Sequence, residues 1–196
     1  MFSKNFIKKQ LKDWGVVLTV IAILYFTGLH TEVAAFAQRI VLSTGIITPS
    51  QLQASKMEKA DYNMKLMTLD GEILNFEDYK NKVVFINFWA TWCAPCIAEM
   101  PNIQSLYDKV DSENIKFVMI SLDQNSEKAR KFIEKKGFTF PVYQPVGYLP
   151  DVYYASEIPT TFVISPEGLI VTKNVGMANY DKKEFLNYLY KLAGGK

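Results

Sequence analysis

The chain has 196 residues, 49% of them hydrophobic and 21% charged, which suits one globular domain with its own core plus an appendage. A net charge of +2 argues against nucleic acid as a partner, because phosphate binding needs Lys and Arg concentrated on one face. Two cysteines at 93 and 96 are too close to staple distant parts of a fold, and with a single distant histidine, His30, they do not complete a four-ligand zinc site, so no metal is expected.

Residues 1–13 carry Lys4, Lys8, Lys9 and Lys12 against one acid, Asp13, and residues 14–29 carry no charge. As a helix of ~1.5 Å per residue the uncharged run spans roughly 24 Å, short of a hydrocarbon core of about 30 Å. It reads either as a retained single-pass anchor or as a cleaved export signal, for which Ala35-Phe36-Ala37 offers a small-residue site. The anchor is favoured because that tripeptide sits inside another pattern. Val33, Phe36, Ala37, Ile40 and Val41 recur on one helical face, suited to the membrane interface just after a span. Packing of residues 33–42 on the soluble domain is the alternative. The lysines bias the amino end to the cytoplasmic side, so the rest is expected outside the cytoplasmic membrane, in the periplasm where there is an outer membrane. The expected organisation is a basic start (1–13), a transmembrane anchor (14–29), an interfacial segment and polar linker (30–60) and a folded domain (61–196).

Within that domain, residues 62–69 and 72–74 flank Asp70-Gly71 and predict a hairpin. The run Val83-Val84-Phe85-Ile86-Asn87-Phe88-Trp89 is apolar with one polar interruption, as a central strand covered on both faces should be. A helix follows over 94–110, then an apolar strand over 115–122, then a charged helix over 126–136 stopped by Gly137. Phe140-Pro141-Val142-Tyr143 suggests a short edge strand. Residues 144–157 are rich in Pro and Tyr and carry no clear pattern. Residues 160–165 and 169–174 flank Pro166-Glu167-Gly168 as a second hairpin, and residues 181–192 form a last amphipathic helix burying Phe185, Tyr188 and Leu189. The order gives an α/β fold with a mixed central sheet flanked by helices.

Cys93 and Cys96 then lie between a buried strand and a helix. A first cysteine at a helix start has its thiolate favoured by unpaired backbone N–H groups and the helix dipole. Pro95 fits there, because a proline in the first turn removes an N–H that bonds nothing. The chemistry is thiol-disulfide exchange: Cys93 attacks a partner disulfide and Cys96 resolves the mixed disulfide. Two inert buried cysteines are the plain alternative.

The run Phe88-Trp89-Ala90-Thr91-Trp92-Cys93-Ala94-Pro95-Cys96 resembles the active-site signature of thioredoxin-like proteins, and its continuation through Glu99-Met100-Pro101 resembles the TlpA/ResA branch, whose members are exported and often membrane-anchored. The resemblance covers residues 62 to the end. It implies a thioredoxin-like fold with a strand-helix insertion at about residues 126–143. It also implies a redox-active disulfide Cys93–Cys96 in place of a cofactor, and a partner-contact surface from Trp92, Ala94 and Pro95. Ile158-Pro159-Thr160 resembles the cis-proline loop facing the cysteines, where the Ile158 backbone would pair with an extended partner segment. Where thioredoxin has a buried aspartate this chain has Asn87, which cannot take a proton. Glu99, three residues after Cys96 and on the same side of the helix, is the expected substitute, its pKa raised by partial burial; a solvated helix carboxylate is the alternative.

The Ala94-Pro95 dipeptide lacks the histidine that the resemblance links to strong oxidants. The expected role is therefore a disulfide reductase for exported proteins such as apocytochrome c, in cytochrome c maturation or general redox homeostasis, fed by a transmembrane thiol electron donor. A peroxiredoxin-like thiol peroxidase is weighed against it. That family's pattern has Thr or Ser three positions before its cysteine, where this chain has Ala90, and no distant resolving cysteine exists. A non-catalytic redox-sensing module is the third reading.

Overall fold

A computed structural model of the chain describes residues 4–27, 29–49, 56–111, 113–154 and 156–194. The central strand is β4 (Val83–Trp89), buried at every position. It pairs in parallel with β5 (Ile115–Ser121) and antiparallel with β7 (Thr160–Ile164). Burial on both faces explains the absence of alternation in its sequence. Val83, Phe85 and Trp89 meet residues of three helices, α3 (Ala94–Lys109), α4 (Ser126–Lys136) and α5 (Lys183–Leu192), among them Met100, Ile133 and Leu189. Val84, Ile86 and Phe88 meet a second core in which Tyr62, Phe76 and Tyr153 are the large side chains. Asn87 lies in the first series and so points toward α3.

The sheet is completed by β1 (Glu58–Lys59), β2 (Lys65–Thr68), β3 (Ile73–Asn75), β6 (Val142–Val146) and β8 (Leu169–Val175), in the order β1-β8-β7-β4-β5-β6-β2-β3. Both expected hairpins form. β2 and β3 join through Gly71 at φ +87°, and β7 and β8 through Gly168 at φ +77°, left-handed positions that glycine occupies without Cβ strain. In α4, the Asn125 side chain accepts from the Glu127 N–H at 2.9 Å and Gly137 closes the far end at φ +68°. In α5, Phe185 and Leu189 are buried and Tyr188 is half-buried.

Two expectations are corrected. The strand at 140–143 is not an edge: β6 pairs with β5 on one side and β2 on the other, because the amino-terminal hairpin returns from far in sequence to cover it. The polar linker already contributes β1, whose Glu58 and Lys59 pair with Ile170 and Leu169, so the sheet begins before the expected boundary at 61. α1 (Lys4–Thr27) and α2 (Leu29–Ser43) meet at a bend of 94°, and among the described residues no single helix is long and apolar enough to cross a membrane; Asp13–Thr27 and Leu29–Ser43 reach that length only as a bent pair. Gly28, inside the expected anchor, lies outside the described residues. Val33, Phe36, Ile40 and Val41 of α2 are exposed, while Ala35 and Leu42 are buried against α3.

Candidate active site

The strand β4 ends at Trp89, and the chain turns through residues 90–92 into α3. Asp123, buried just past the end of β5, fixes that turn: its carboxylate accepts from the Thr91 N–H at 2.9 Å, the Thr91 hydroxyl at 2.7 Å and the Ser121 hydroxyl at 3.0 Å. Parallel pairing of Trp89 with Ser121 brings these segments together. Cys93 follows as the N-cap of α3, with φ −92° and ψ 99°. The Cys96 N–H donates to Cys93 Sγ at 3.2 Å, the place a capping oxygen takes in other helices. Ala94 and Pro95 fill the first turn without an acid to oppose a thiolate.

Cys93 and Cys96 form a disulfide with Cα atoms 5.3 Å apart. Cys96 is fully buried, Cys93 is nearly so, and Trp92 beside them is 62% exposed. Trp89 is entirely core. Across the site, the Ile158–Pro159 bond is cis, and the Ile158 carbonyl oxygen lies 3.6 Å from Cys93 Sγ. Pro159 is buried and its carbonyl accepts from the Gly176 N–H at 2.8 Å, which ties the loop to the end of β8.

Beneath the disulfide, Glu99 is completely buried, so it is no solvated helix acid. Its Oε1 accepts from Asn87 Nδ2 at 2.8 Å and its Oε2 from the Ala178 N–H at 3.0 Å. Burial pushes its pKa up to about 8, more than those two hydrogen bonds pull it down. Asn87 Nδ2 also donates to the Thr161 hydroxyl at 2.9 Å, Thr161 being its partner across β4 and β7. An amide suits this position because it carries both a donor and an acceptor and can serve Glu99 in either protonation state. Tyr180 is fully buried too, and its hydroxyl is kept protonated first by burial and then by the charge of Glu99.

Every residue assigned to the site from sequence, Trp92, Cys93, Ala94, Pro95, Cys96, Glu99, Ile158 and Pro159, thus falls at one end of the sheet around the start of α3. Asp123, Thr161 and the Ala178 N–H had not been foreseen. Asp123 had a signal, an acid directly after an apolar strand. Thr161, which bonds Asn87, and the Ala178 N–H, which bonds Glu99, come to the site only through the fold.

Residues 57–173 match the AhpC/TSA family. The chain is 36% identical over 131 residues to the thiol-disulfide oxidoreductase ResA of Oceanobacillus iheyensis, covering 65% of this chain and 68% of that one. It is 31% identical over 158 residues to ResA of Bacillus subtilis, covering 80% and 79%. Among solved structures it resembles StoA from Bacillus subtilis with a TM-score of 0.54 at 30% identity, covering 68% of this chain and 98% of that one.

Proposed function

The chain belongs to the ResA-like thiol-disulfide oxidoreductases of the thioredoxin superfamily, and from that premise we propose that it is a membrane-tethered reductase of disulfides in exported proteins, apocytochrome c among them. The observation that carries the reading is the capped position of Cys93 at the start of α3, disulfide-bonded to Cys96 and facing the Ile158 carbonyl, with the buried acid Glu99 one helical turn below.

In the reduced protein the Cys93 thiolate attacks one sulfur of a partner disulfide. A bond forms between Cys93 and that sulfur, and the partner's other sulfur leaves as a thiolate. The Glu99 carboxylate takes the Cys96 proton, the Cys96 thiolate attacks Cys93 Sγ, and the partner departs with both sulfurs reduced while Cys93–Cys96 is oxidised. Re-reduction by a membrane dithiol donor runs the other way: Cys96 leaves as a thiolate and receives the Glu99 proton. With a pKa of about 8, Glu99 holds that proton at neutral pH in the oxidised protein. The disulfide itself is the redox group, and no other cofactor enters the cycle. Tethering is supported by the basic start of the chain and by α1, which leaves Trp14, Leu18, Ile21, Tyr25 and Phe26 uncovered. Its threonines make no demand on lipid, since Thr19 and Thr27 donate to the carbonyls of Gly15 and Ile23. A short span is accommodated by snorkelling lysines and local thinning of the bilayer. The charge bias supports a catalytic domain outside the cytoplasm.

Cys96→Ala tests the reading, because it leaves Cys93 in stalled mixed disulfides. Exported proteins, cytochrome c precursors included, are the expected captures from membranes; a chain that captures nothing through Cys93 removes it. The AhpC/TSA match makes thiol peroxidase the second reading. Ala90 stands where that chemistry would place a hydroxyl, and hydrogen peroxide turnover at a rate matching insulin reduction would favour it over the first.

A further inference from the structure

Helix α2 has two faces with different needs. On the inner face Ala35 and Leu42 are fully buried beside Ile97 and Ala98, the two residues that follow Cys96. Three polar ties hold that face down. Lys136 Nζ meets the Glu32 carboxylate at 2.8 Å, Asn179 Nδ2 donates to the Leu42 carbonyl at 3.3 Å, and Arg39 Nη2 donates to the Ile97 carbonyl at 3.4 Å. The last tie has a cause in the sequence. Pro101 lacks an N–H, so the Ile97 carbonyl four residues earlier has no donor from its own helix, and α2 supplies one. The family match begins at residue 57, after α2.

The outer face is a continuous apolar stripe. Leu29, Val33, Phe36, Ile40 and Val41 are exposed, with Phe36 at 64% and Val33 and Ile40 at 57%. The preceding chain indicates what covers it. α1 is apolar and uncovered over residues 14–27, and it enters α2 through the 94° bend. A helix along the membrane normal that turns by about a right angle continues in the plane of the interface, where an amphipathic helix buries its apolar face by about 5–10 Å. We propose that the outer face of α2 rests on the lipid surface while its inner face grips the active-site helix, holding the Cys93–Cys96 disulfide at a fixed orientation to the membrane. The proposal rests on the tether proposed above. Partners reach the disulfide from the side that α2 leaves open, and a membrane-embedded thiol donor meets it in one geometry.

The test uses the full chain in phosphatidylcholine–phosphatidylglycerol vesicles, with Trp14→Phe to clear the anchor and Phe36→Trp as the probe. Vesicles with and without bromine on the upper acyl chain are compared, and the chain bearing Trp14→Phe alone supplies the background of Trp89 and Trp92. The expected result is a blue shift and a bromine-dependent loss of the added emission, repeated with Ile40→Trp. Retained insulin reduction shows that both variants are folded. A chain that floats with the vesicles while residues 36 and 40 stay unquenched overturns the lipid-resting face and leaves the tether standing, whether water or a second copy covers the stripe. A chain that does not float overturns the tether itself, and the proposal with it.

Discussion

Glu99 sits where a carboxylate is least comfortable, and its two hydrogen bonds do not offset the loss of water. A group whose folded pKa lies above its unfolded value binds a proton in the native state that the unfolded chain releases. Its stabilising effect is complete below the ordinary value of 4.5 and is lost as pH rises to about 8. Glu99→Gln cannot titrate. Its lost hydrogen bond costs the same at every pH, so the oxidised wild type should lose stability relative to the variant by a few kcal/mol, in order of magnitude, between pH 5 and pH 8. Denaturant midpoints at the two pH values measure this, and parallel behaviour of the two chains would place the acid at an ordinary pKa. The same variant should flatten the pH profile of Cys96 alkylation in the reduced protein; an unaltered profile removes the proton-handling role. Asp123 works by geometry instead, accepting three hydrogen bonds that hold the turn before Cys93. Asp123→Ala strands the half-buried Thr91 N–H and should cost about 1–3 kcal/mol and slow insulin reduction, whereas Asp123→Asn keeps an acceptor and should recover most of both.

Helix α3 joins the catalytic residues to the rest of the molecule, and its interior proline is satisfied from outside. Arg39→Ala should therefore cost about 1 kcal/mol in the natural chain and less in a Pro101→Ala background, where residue 101 regains an N–H for the Ile97 carbonyl. Thermal unfolding of the four chains of that cycle checks the coupling, and equal costs in both backgrounds would show that Arg39 does not compensate for the N–H missing at Pro101. Elements whose cause is local were legible in the sequence. The apolar run of β4, the Asn125 and Gly137 ends of α4 and the two Gly-bearing hairpins each state their structure within a few residues. Elements whose cause is distant were not. β1 is two polar residues given strand form only by β8, and β6 is interior only because β2 returns to it. The outer stripe of α2 was visible as a pattern, but Ala35 and Leu42, one residue per two turns, left no readable second face. The site divides in the same way: Cys93, Cys96 and Glu99 share one helix, while the Ala178 N–H that holds Glu99 lies 79 residues away.

For the whole molecule the open quantity is the direction in which electrons flow, and it depends on which redox form the fold favours. Strong oxidants of this chemistry owe their potential to a reduced form stabilised by a well-supported thiolate. Here the support at Cys93 comes from the helix start and one short-range N–H, that of Cys96. No Lys, Arg or His occurs among residues 94–101, and the one acid in that stretch is Glu99, whose charge would oppose a nearby thiolate. This thin support favours the proposed direction, in which the dithiol is the electron donor. Equilibration of the soluble domain against glutathione or a dithiol buffer should give a potential more negative than about −180 mV, on the thioredoxin side of protein disulfide isomerase. Because about 30 mV corresponds to ~1.4 kcal/mol for the two-electron couple, the same measurement has a thermodynamic twin. The oxidised protein should unfold at higher denaturant than the reduced one, since a fold that does not favour the dithiol leaves the cross-link free to stabilise. A potential near −120 mV, or a reduced form more stable than the oxidised one, would make this protein an oxidant and reverse the direction proposed for it.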